Sequence, residues 1–447
     1  MRRLNYLVSL LMLVGLVATP SAAGAQPAPT RTLEVWTHEF PPLQDAMTKK
    51  WIPEFEASHP GVKVKMTAIP FAGVVSFDAK LLAALSSGSG PDFWDMGDWN
   101  YKNFLDNNYL APFDPHIFGY GSSQEMISAY LPGTMDIFVR GGNVYGLFSE
   151  SNTLALFYNL DMFDAAGIAP LPSDRPVSWA QIEDIGQQLR RTDASGAPTQ
   201  IGWQFGFFAN YHSAQWYAQN FYEFMRQYGQ DDLYVGGQPA ADSDAVRNAL
   251  QMFYDFTYTY QAYDPRFLNN WFADFPQNRV AMVLAGTWFV PAIRQNNPNV
   301  RFGVAPHPVL NPDDRSTYKN IQWSWGWSVN ANKPSDQQQL AQEFLAFMLG
   351  KNGDTAQPAW WFSNLGYMQP SRAFIASNAY SDKLASDPWL RQWVDAYSTY
   401  DIGYVQHAYD EPGSALVRAI DRVVYDQIAP DESARLLQGE LERLQSS

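Results

Sequence analysis

Apolar and polar positions alternate in two rhythms along this chain. Residues 33–36 (LEVW) and 62–66 (VKVKM) repeat with a period of two and read as strands. Between them, residues 43–58 carry Trp51, Ile52 and Phe55 at helical spacing, and His59, Pro60 and Gly61 close that run with a turn. A second helical run, 76–85, leads through a Ser/Gly turn into residues 91–96, a buried strand. This β-α-β-α-β order is that of a parallel sheet with helical crossovers.

The same theme continues with interruptions. Residues 144–148, 154–158, 280–284 and 300–304 are strand-like. Residues 179–191, with Ser178 as N-cap, and 213–228, 243–260, 335–349 and 414–428 have helical spacing. No internal repeat and no low-complexity linker interrupts them. The pattern predicts an α/β fold of two lobes joined by several short crossings.

The first residues suggest where such a protein works. Arg2 and Arg3 precede an apolar run from Tyr6 to Val17, and Ala23, Gly24 and Ala25 follow. That is the form of a secretory signal peptide, residues 1–25, cut after Ala25. The run is shorter than the ~20 residues a membrane span needs. The chain has no cysteine, which excludes disulfides, thiolate metal sites and lipid attachment at a new N-terminal cysteine. The expectation is a freely diffusing periplasmic protein whose core needs no covalent staples. Cleavage of the 447-residue chain leaves 422 residues, enough for two domains. The formal charge of −15 becomes −17 without Arg2 and Arg3, which speaks against nucleic acid and anionic membrane surfaces as partners. Sixteen Trp, 24 Tyr and 28 Phe supply a large aromatic core. Where Trp stands among Gly and polar residues, they also suggest a stacking surface for a ligand with apolar faces and hydroxyl edges.

An ordered series of short motifs sharpens this reading. Val35-Trp36 opens the first strand; PGVKV follows at 60–64, LLAALSSGSGPD at 81–92, LAPFD at 110–114 and YGL at 145–147. Then come LFYNLD at 156–161, AGI at 166–168, Ala281-Met282 with Gly286-Thr287-Trp288, and WGWSV at 325–329. In this order the chain resembles the extracellular solute-binding proteins of sugar ABC importers, the group that includes maltose-binding protein. The resemblance implies a two-lobed periplasmic-binding-protein fold (type II-like), with parallel-rich sheets and a ligand cleft at strand ends, closed by a hinge. It implies an N-terminal lobe of 31–146 and 306–332 and a C-terminal lobe of 147–305 and 333–447. The crossings fall near 145–149, 304–308 and 330–334. The implied partners are a carbohydrate, most simply a di- or oligosaccharide, and the importer's permease subunits; the protein would be a monomer without metal or cofactor.

A sugar offers ring faces to aromatic planes and hydroxyls to polar side chains, so contacts are sought just after strands. Trp288 matches the family's Gly-x-Trp position. Asp98 and Trp99 follow the third strand, with a helix cap as the alternative role for Asp98. His38 follows the first strand and is either a hydroxyl partner or structural. Glu150 and Asn152 stand at the first crossing, where hinge hydrogen bonding is the other role. Tyr211, His212 and Trp216 would line the second lobe, or Trp216 is a buried helix face. Trp323, Trp325 and Trp327 share one face of a strand, and Trp325, beside Gly326, is taken as the contact. Trp361, Tyr367 and Arg372 complete the set; Arg372 would grip an anion or form a structural ion pair.

The rival class is a secreted carbohydrate-active enzyme, which needs a pair of carboxylates at set separation. No nucleophile elbow, zinc-protease motif or phosphate loop occurs, and the six His are scattered without metal-ligand spacing. A third reading keeps the fold and changes the cargo to a polyol or a glycerol phosphate ester, which would require a basic pocket or helix N-termini. Among the candidates only Arg372 is basic, so a neutral sugar is expected.

Overall fold

The computed structural model of the protein describes residues 31–70, 77–205, 214–267, 270–407 and 410–446. The segment read as a signal peptide lies outside them. The strands of the two main sheets are β1 (Arg31–His38), β2 (Val62–Ile69), β3 (Phe93–Gly97), β4 (Leu147–Thr153), β5 (Ala155–Asn159), β6 (Arg191–Thr192), β7 (Pro198–Trp203), β8 (Val280–Ala285), β9 (Phe302–Ala305), β10 (Lys319–Val329) and β11 (Asp401–Gly403).

The first sheet has the order β11-β10-β3-β1-β2, and β4 also pairs with β10. Strand β1 runs parallel to β2, from Arg31 opposite Val62 to His38 opposite Ile69, and parallel to β3. Strand β10 returns antiparallel to β3 and β4. The second sheet has the order β9-β5-β8-β7-β6. Residues 62–66 alternate because one face of the edge strand β2 is open, with Lys63 and Lys65 exposed between half-buried neighbours. The central β3 is buried throughout, which is why it reads as a run rather than an alternation.

Helices cover both sheets with aromatic rings. Residues 41–58 fold as helices Pro41–Ala46 and Ile52–Ser58 around a wider π turn, and they bury Trp51 and Phe55. Phe55 meets Phe344 at 4.8 Å between centroids, and Trp51 stacks on Trp361 at 5.9 Å. In the second lobe the edges of Trp179 and Trp203 meet at 5.5 Å, and Trp179 lies 4.9 Å from Phe224. Full burial of such a ring contributes about 4–6 kcal/mol before entropy is counted. Ser178 and Ser243 cap their helices by accepting from the N–H groups of Gln181 and Val246.

Of the three expected crossings, the one near 304–308 falls where β9 ends, and the other two are not where they were expected. Residues 147–153, assigned above to the second lobe, pair with β10 in the first sheet, and the crossing is Leu154. The polar run Ser149–Thr153 suggested a hinge loop. Instead it is a fully buried strand in which most polar side chains find partners: Ser149 Oγ donates to the Trp325 carbonyl at 3.2 Å, and Gln322 Nε2 donates to Ser151 Oγ at 3.1 Å, while Thr153 Oγ1 is buried without one among the described residues. The second crossing runs through residues 306–318. No crossing lies at 330–334. Helices Ser335–Leu349 and Ala356–Leu365 stay on the first lobe, because Phe344 packs on Phe55 and Phe93 and Trp361 on Trp51. The chain meets the second lobe again at Trp389 and Trp393, which pack on Phe302 and Phe157, and then with helix Glu411–Val424 against helices Ala214–Gln227 and Asp244–Tyr254.

Candidate functional site

A cavity of about 520 Å³ lies between the two sheets. Strand β1 ends in His38, and the following Glu39, Phe40 and Pro41 form one wall. Its floor comes from the strands at the crossing. Glu150 on β4 stands opposite Trp325 on β10, with Trp323 two residues away. Phe272 and Trp288 face it from the second lobe, beside Asn270, Gln295 and Asn296. Tyr367 joins from the loop after helix Ala356–Leu365. Ligand sites at strand C-termini are the rule in open α/β sheets.

Two strands deliver a tryptophan by the same local device. Strand β3 ends in Gly97-Asp98-Trp99, and β8 runs into Gly286-Thr287-Trp288. In each case the indole folds back over the glycine. An added Cβ would stand 2.1 Å from the Trp99 ring or 2.4 Å from Trp288 Nε1, so glycine is required for the close approach. Both indoles meet Trp323 edge-on, at 5.5 and 5.6 Å between centroids. Trp216 completes the group, 5.0 Å from Trp323 and 5.9 Å from Trp288. Each such pair contributes about 0.5–1.5 kcal/mol beyond area burial.

The first-lobe wall is the outer end of a column of rings. His38 stacks on Trp325 at 3.8 Å, with Phe40 6.1 Å beyond His38. Tyr367 follows at 5.8 Å, Trp361 at 5.8 Å and Trp51 at 5.9 Å, with every interplanar angle in that run at or below 16°. The imidazole is also held from behind. Asp95 Oδ1 accepts from the His38 N–H at 2.9 Å, and Nδ1 lies 2.6 Å from Oδ2, where the ring nitrogen donates because a carboxylate only accepts.

Acidic groups dominate the electrostatics. Glu150 Oε2 lies 2.7 Å from the Asn152 amide, whose other atom lies 3.0 Å from Thr287 Oγ1; that hydroxyl also reaches the Gly366 carbonyl. Burial pushes Glu150 well above the usual carboxylate range, Asp98 and Asp95 push the same way, and the Asn152 amide opposes them. Burial raises Asp78 to about 7 against hydrogen bonds from Trp99 and Asn100. Burial also raises Asp98, opposed by the backbone N–H groups of Trp99 and Ser324. No Lys or Arg occurs among the described lining residues. Among the described residues no group of three His, Cys, Asp or Glu is arranged to hold a metal, and no helix is long and apolar enough to cross a membrane.

Of the residues singled out from sequence, Trp288, His38, Glu150, Trp325 and Tyr367 line the cavity. Asn152 lies behind Glu150. Asp98 and Trp99 do not line it: the Trp99 indole is folded over Gly97, with its N–H 3.4 Å from Asp78, and Asp98 is turned toward Ser324. Trp216 is a buried helix face that supports Trp288 and Trp323. Trp361 is interior, its N–H donating to the Met348 carbonyl at 2.8 Å. Arg372 is exposed, and its Nε donates to the carbonyls of Ser128 and Tyr130 at 3.1 and 3.0 Å, away from the cavity. Tyr211 and His212 lie outside the described residues. Sequence reasoning passed over Glu39, Phe40, Trp323, Phe272, Asn270, Gln295 and Asn296. The Phe40-Pro41-Pro42 run directly after the first strand was a usable signal, since its prolines end the strand and hold a ring at its tip.

Comparison with known proteins gives a consistent picture. The family model for bacterial extracellular solute-binding protein matches residues 40–354. A putative binding protein of Brucella abortus is 22% identical over 273 residues, 59% of this chain and 60% of that protein. The chain thus spans about 60% of the length of the first such relatives it matches. The arabinooligosaccharide-binding protein of Bacillus subtilis is 22% identical over 355 residues, 77% of this chain and 75% of that protein. Among solved structures, a maltose/maltodextrin-binding domain of Bdellovibrio bacteriovorus bound to maltotriose superposes with a TM-score of 0.75 at 17% identity, covering 93% of this chain and 100% of that one. That likeness is one of fold.

Proposed function

The chain belongs to the bacterial extracellular solute-binding protein family, and from that premise we propose that it is the substrate-binding component of an ABC importer that captures a di- or oligosaccharide. It is a binding protein rather than an enzyme, as its family is. The observation that carries the choice of ligand is the cavity of about 520 Å³, with aromatic rings from both lobes and hydrogen-bonding side chains between them. Its size lies within the roughly 300–1,000 Å³ of small-molecule sites. Trp288, Trp325 and Phe272 offer planes to sugar ring faces, Phe40, stacked between His38 and Tyr367, offers its edge, and Glu39, Glu150, Asn270, Gln295 and Asn296 offer partners to hydroxyls. The number of rings favours more than one sugar unit. A phosphate ester is disfavoured, because the described lining holds carboxyl groups and no cation. The names of the Bacillus and Bdellovibrio relatives point the same way.

Ligand that touches both walls at once favours the closed arrangement, and only that differential contact drives closure. Residues 1–25 direct export, and the protein works in the periplasm as a monomer that presents its closed form to the permease subunits. The test is the melting temperature of the protein from Gln26 onward against a panel of sugars, polyols and glycerol phosphates. A ligand at ~100 times its dissociation constant adds ~2.7 kcal/mol of stability. A shift with a di- or oligosaccharide that is recovered unconsumed is the expected result. A shift with phosphate esters alone, or turnover of the sugar, refutes the reading.

A further inference from the structure

Beside the cavity, four groups form an unbroken chain between the lobes. Glu150 Oε2 lies 2.7 Å from one amide atom of Asn152, the other amide atom lies 3.0 Å from Thr287 Oγ1, and that hydroxyl reaches the Gly366 carbonyl. Glu150, Asn152 and Thr287 are each at most 1% exposed. The oxygen and nitrogen of an asparagine amide are assigned from such networks. With the Asn152 oxygen turned to Thr287, one hydroxyl proton has to serve both Asn152 and Gly366. With the amide turned over, Asn152 Nδ2 donates to Thr287, and Thr287 donates to Gly366. Asn152 Oδ1 then faces Glu150, which satisfies it only by donating.

We infer that Glu150 works as a carboxylic acid whose proton orients the chain Glu150 to Asn152 to Thr287 to Gly366, making Glu150 a positioning residue for the cleft. The inference rests on the reading of that cleft as the ligand site. Thr287 precedes Trp288 and Gly366 precedes Tyr367, so the chain fixes two rings on different walls of the cavity. The backbones there are already close: Gly366 has φ +72°, and a Cβ on it would stand 2.6 Å from the Thr287 carbonyl oxygen. Glu150 Oε1 has no hydrogen-bond partner among the described residues, and Glu150 lines the cavity. In the acid form that oxygen is a carbonyl-like acceptor for a ligand hydroxyl. The charged and titratable groups around Glu150 are Asp95 on β3 and Asp98 just after it, with Tyr367 and Tyr397, and His38 and Glu39 line the same cavity. The nearest imidazole, His38, is held by Asp95 at 2.6 Å, and burial together with Asp98 and Asp95 favours the protonated form of Glu150.

Glu150→Gln copies the acid, with one fixed donor and one acceptor, while Glu150→Ala removes both. Wild type and both variants are compared between about pH 5 and about pH 9 by melting and by titration with the best saccharide of the panel. A raised folded-state pKa means that the stabilising proton is present at low pH and lost as pH rises through that value. The expected result is a Glu150→Gln protein that binds within about twofold of wild type at low pH and outlasts it as pH rises. Glu150→Ala loses about tenfold or more throughout. The infrared difference spectrum, wild type minus Glu150→Gln at neutral pH, shows a protonated-carboxyl C=O band. The inference is overturned if Glu150→Gln loses tenfold at low pH, if its melting differs from wild type by the same amount at every pH, or if the difference spectrum lacks the band. If no saccharide binds, the functional reading fails, and the infrared and melting comparisons still decide where the proton resides.

Discussion

Gly286→Ala is a one-methyl test of the cleft wall. The new Cβ would stand 2.4 Å from Trp288 Nε1 and 2.8 Å from Cδ1, against ordinary contacts of 3.4 Å or more. The indole therefore retreats by about 1 Å, since an overlap of this size forces neighbouring atoms to shift. Trp216, Trp323, Phe272 and Phe289 hold it at centroid distances of 5.6 to 6.0 Å, and the open side is the cavity. The expected cost is about 1–3 kcal/mol of stability from overpacking. Loss of the stacking geometry weakens saccharide binding by about tenfold or more, ~1.4 kcal/mol. Gly97→Ala is the control. Its Cβ would overlap Trp99 more severely, at 2.1 Å, but Trp99 does not line the cavity. That variant should lose similar stability and keep its affinity within about twofold. Calorimetric titration reads the affinities, and near-ultraviolet circular dichroism reads the geometry of the tryptophan group. A Gly286→Ala protein with wild-type affinity and an unchanged spectrum would refute the argument that Trp288 is a fixed wall.

Other consequences can be checked separately. Glu183 is buried away from the cleft on helix Trp179–Leu189, and burial, with Asp255 and Asp184 nearby, lifts it to about 8. Its raised value means that stability is lost as pH rises from about 4.5 to about 8. Glu183→Gln should therefore exceed wild type at pH 8 by on the order of 1–3 kcal/mol in urea unfolding, with no advantage at pH 4. Arg226, on a second-lobe helix, donates to the carbonyls of Asn320 and Asp401 where β10 meets β11. Arg226→Met leaves those acceptors unsatisfied and should lower the unfolding free energy by about 2–4 kcal/mol; a change under ~0.5 kcal/mol would show the clamp to be idle. Arg372→Ala should leave ligand affinity unchanged in the same titration, and a tenfold loss would return Arg372 to the cleft.

Much of the first sheet was legible because its strands differ in exposure. The edge strand β2 alternates, and the buried β3 runs unbroken, as a parallel sheet with one open edge requires. The crossing was not legible, because Ser149 to Thr153 look like a loop to any rule that equates polarity with exposure. Their burial depends on partners far along the chain, such as Gln322 and Asn320, whose side-chain amide donates to the Leu154 carbonyl at 2.8 Å. At the site, Trp288 was legible through Gly286, since a glycine two residues before a tryptophan at a strand end leaves room for the ring. The identical spacing at Gly97 and Trp99 misled for the same reason: it gives the local fold-back and says nothing of which side faces the cavity. Asn270, Gln295 and Asn296 carry no local signal at all, because only the meeting of the lobes brings them to His38 and Phe40.

The column of rings from Trp325 to Trp51 also bears on how such a protein changes its diet over generations. A wall whose every plane is backed by another, down to the interior of its lobe, offers selection few tolerated steps, since a new side chain at Phe40 or Tyr367 disturbs the rings behind it. The opposite side is built differently, with Asn270 and Phe272 at a short helix and Gln295 and Asn296 at the end of another. Substitutions on that side leave the column in place. Randomised libraries confined to those four positions should yield folded proteins with shifted sugar preference, whereas libraries in the column should yield mostly unfolded ones.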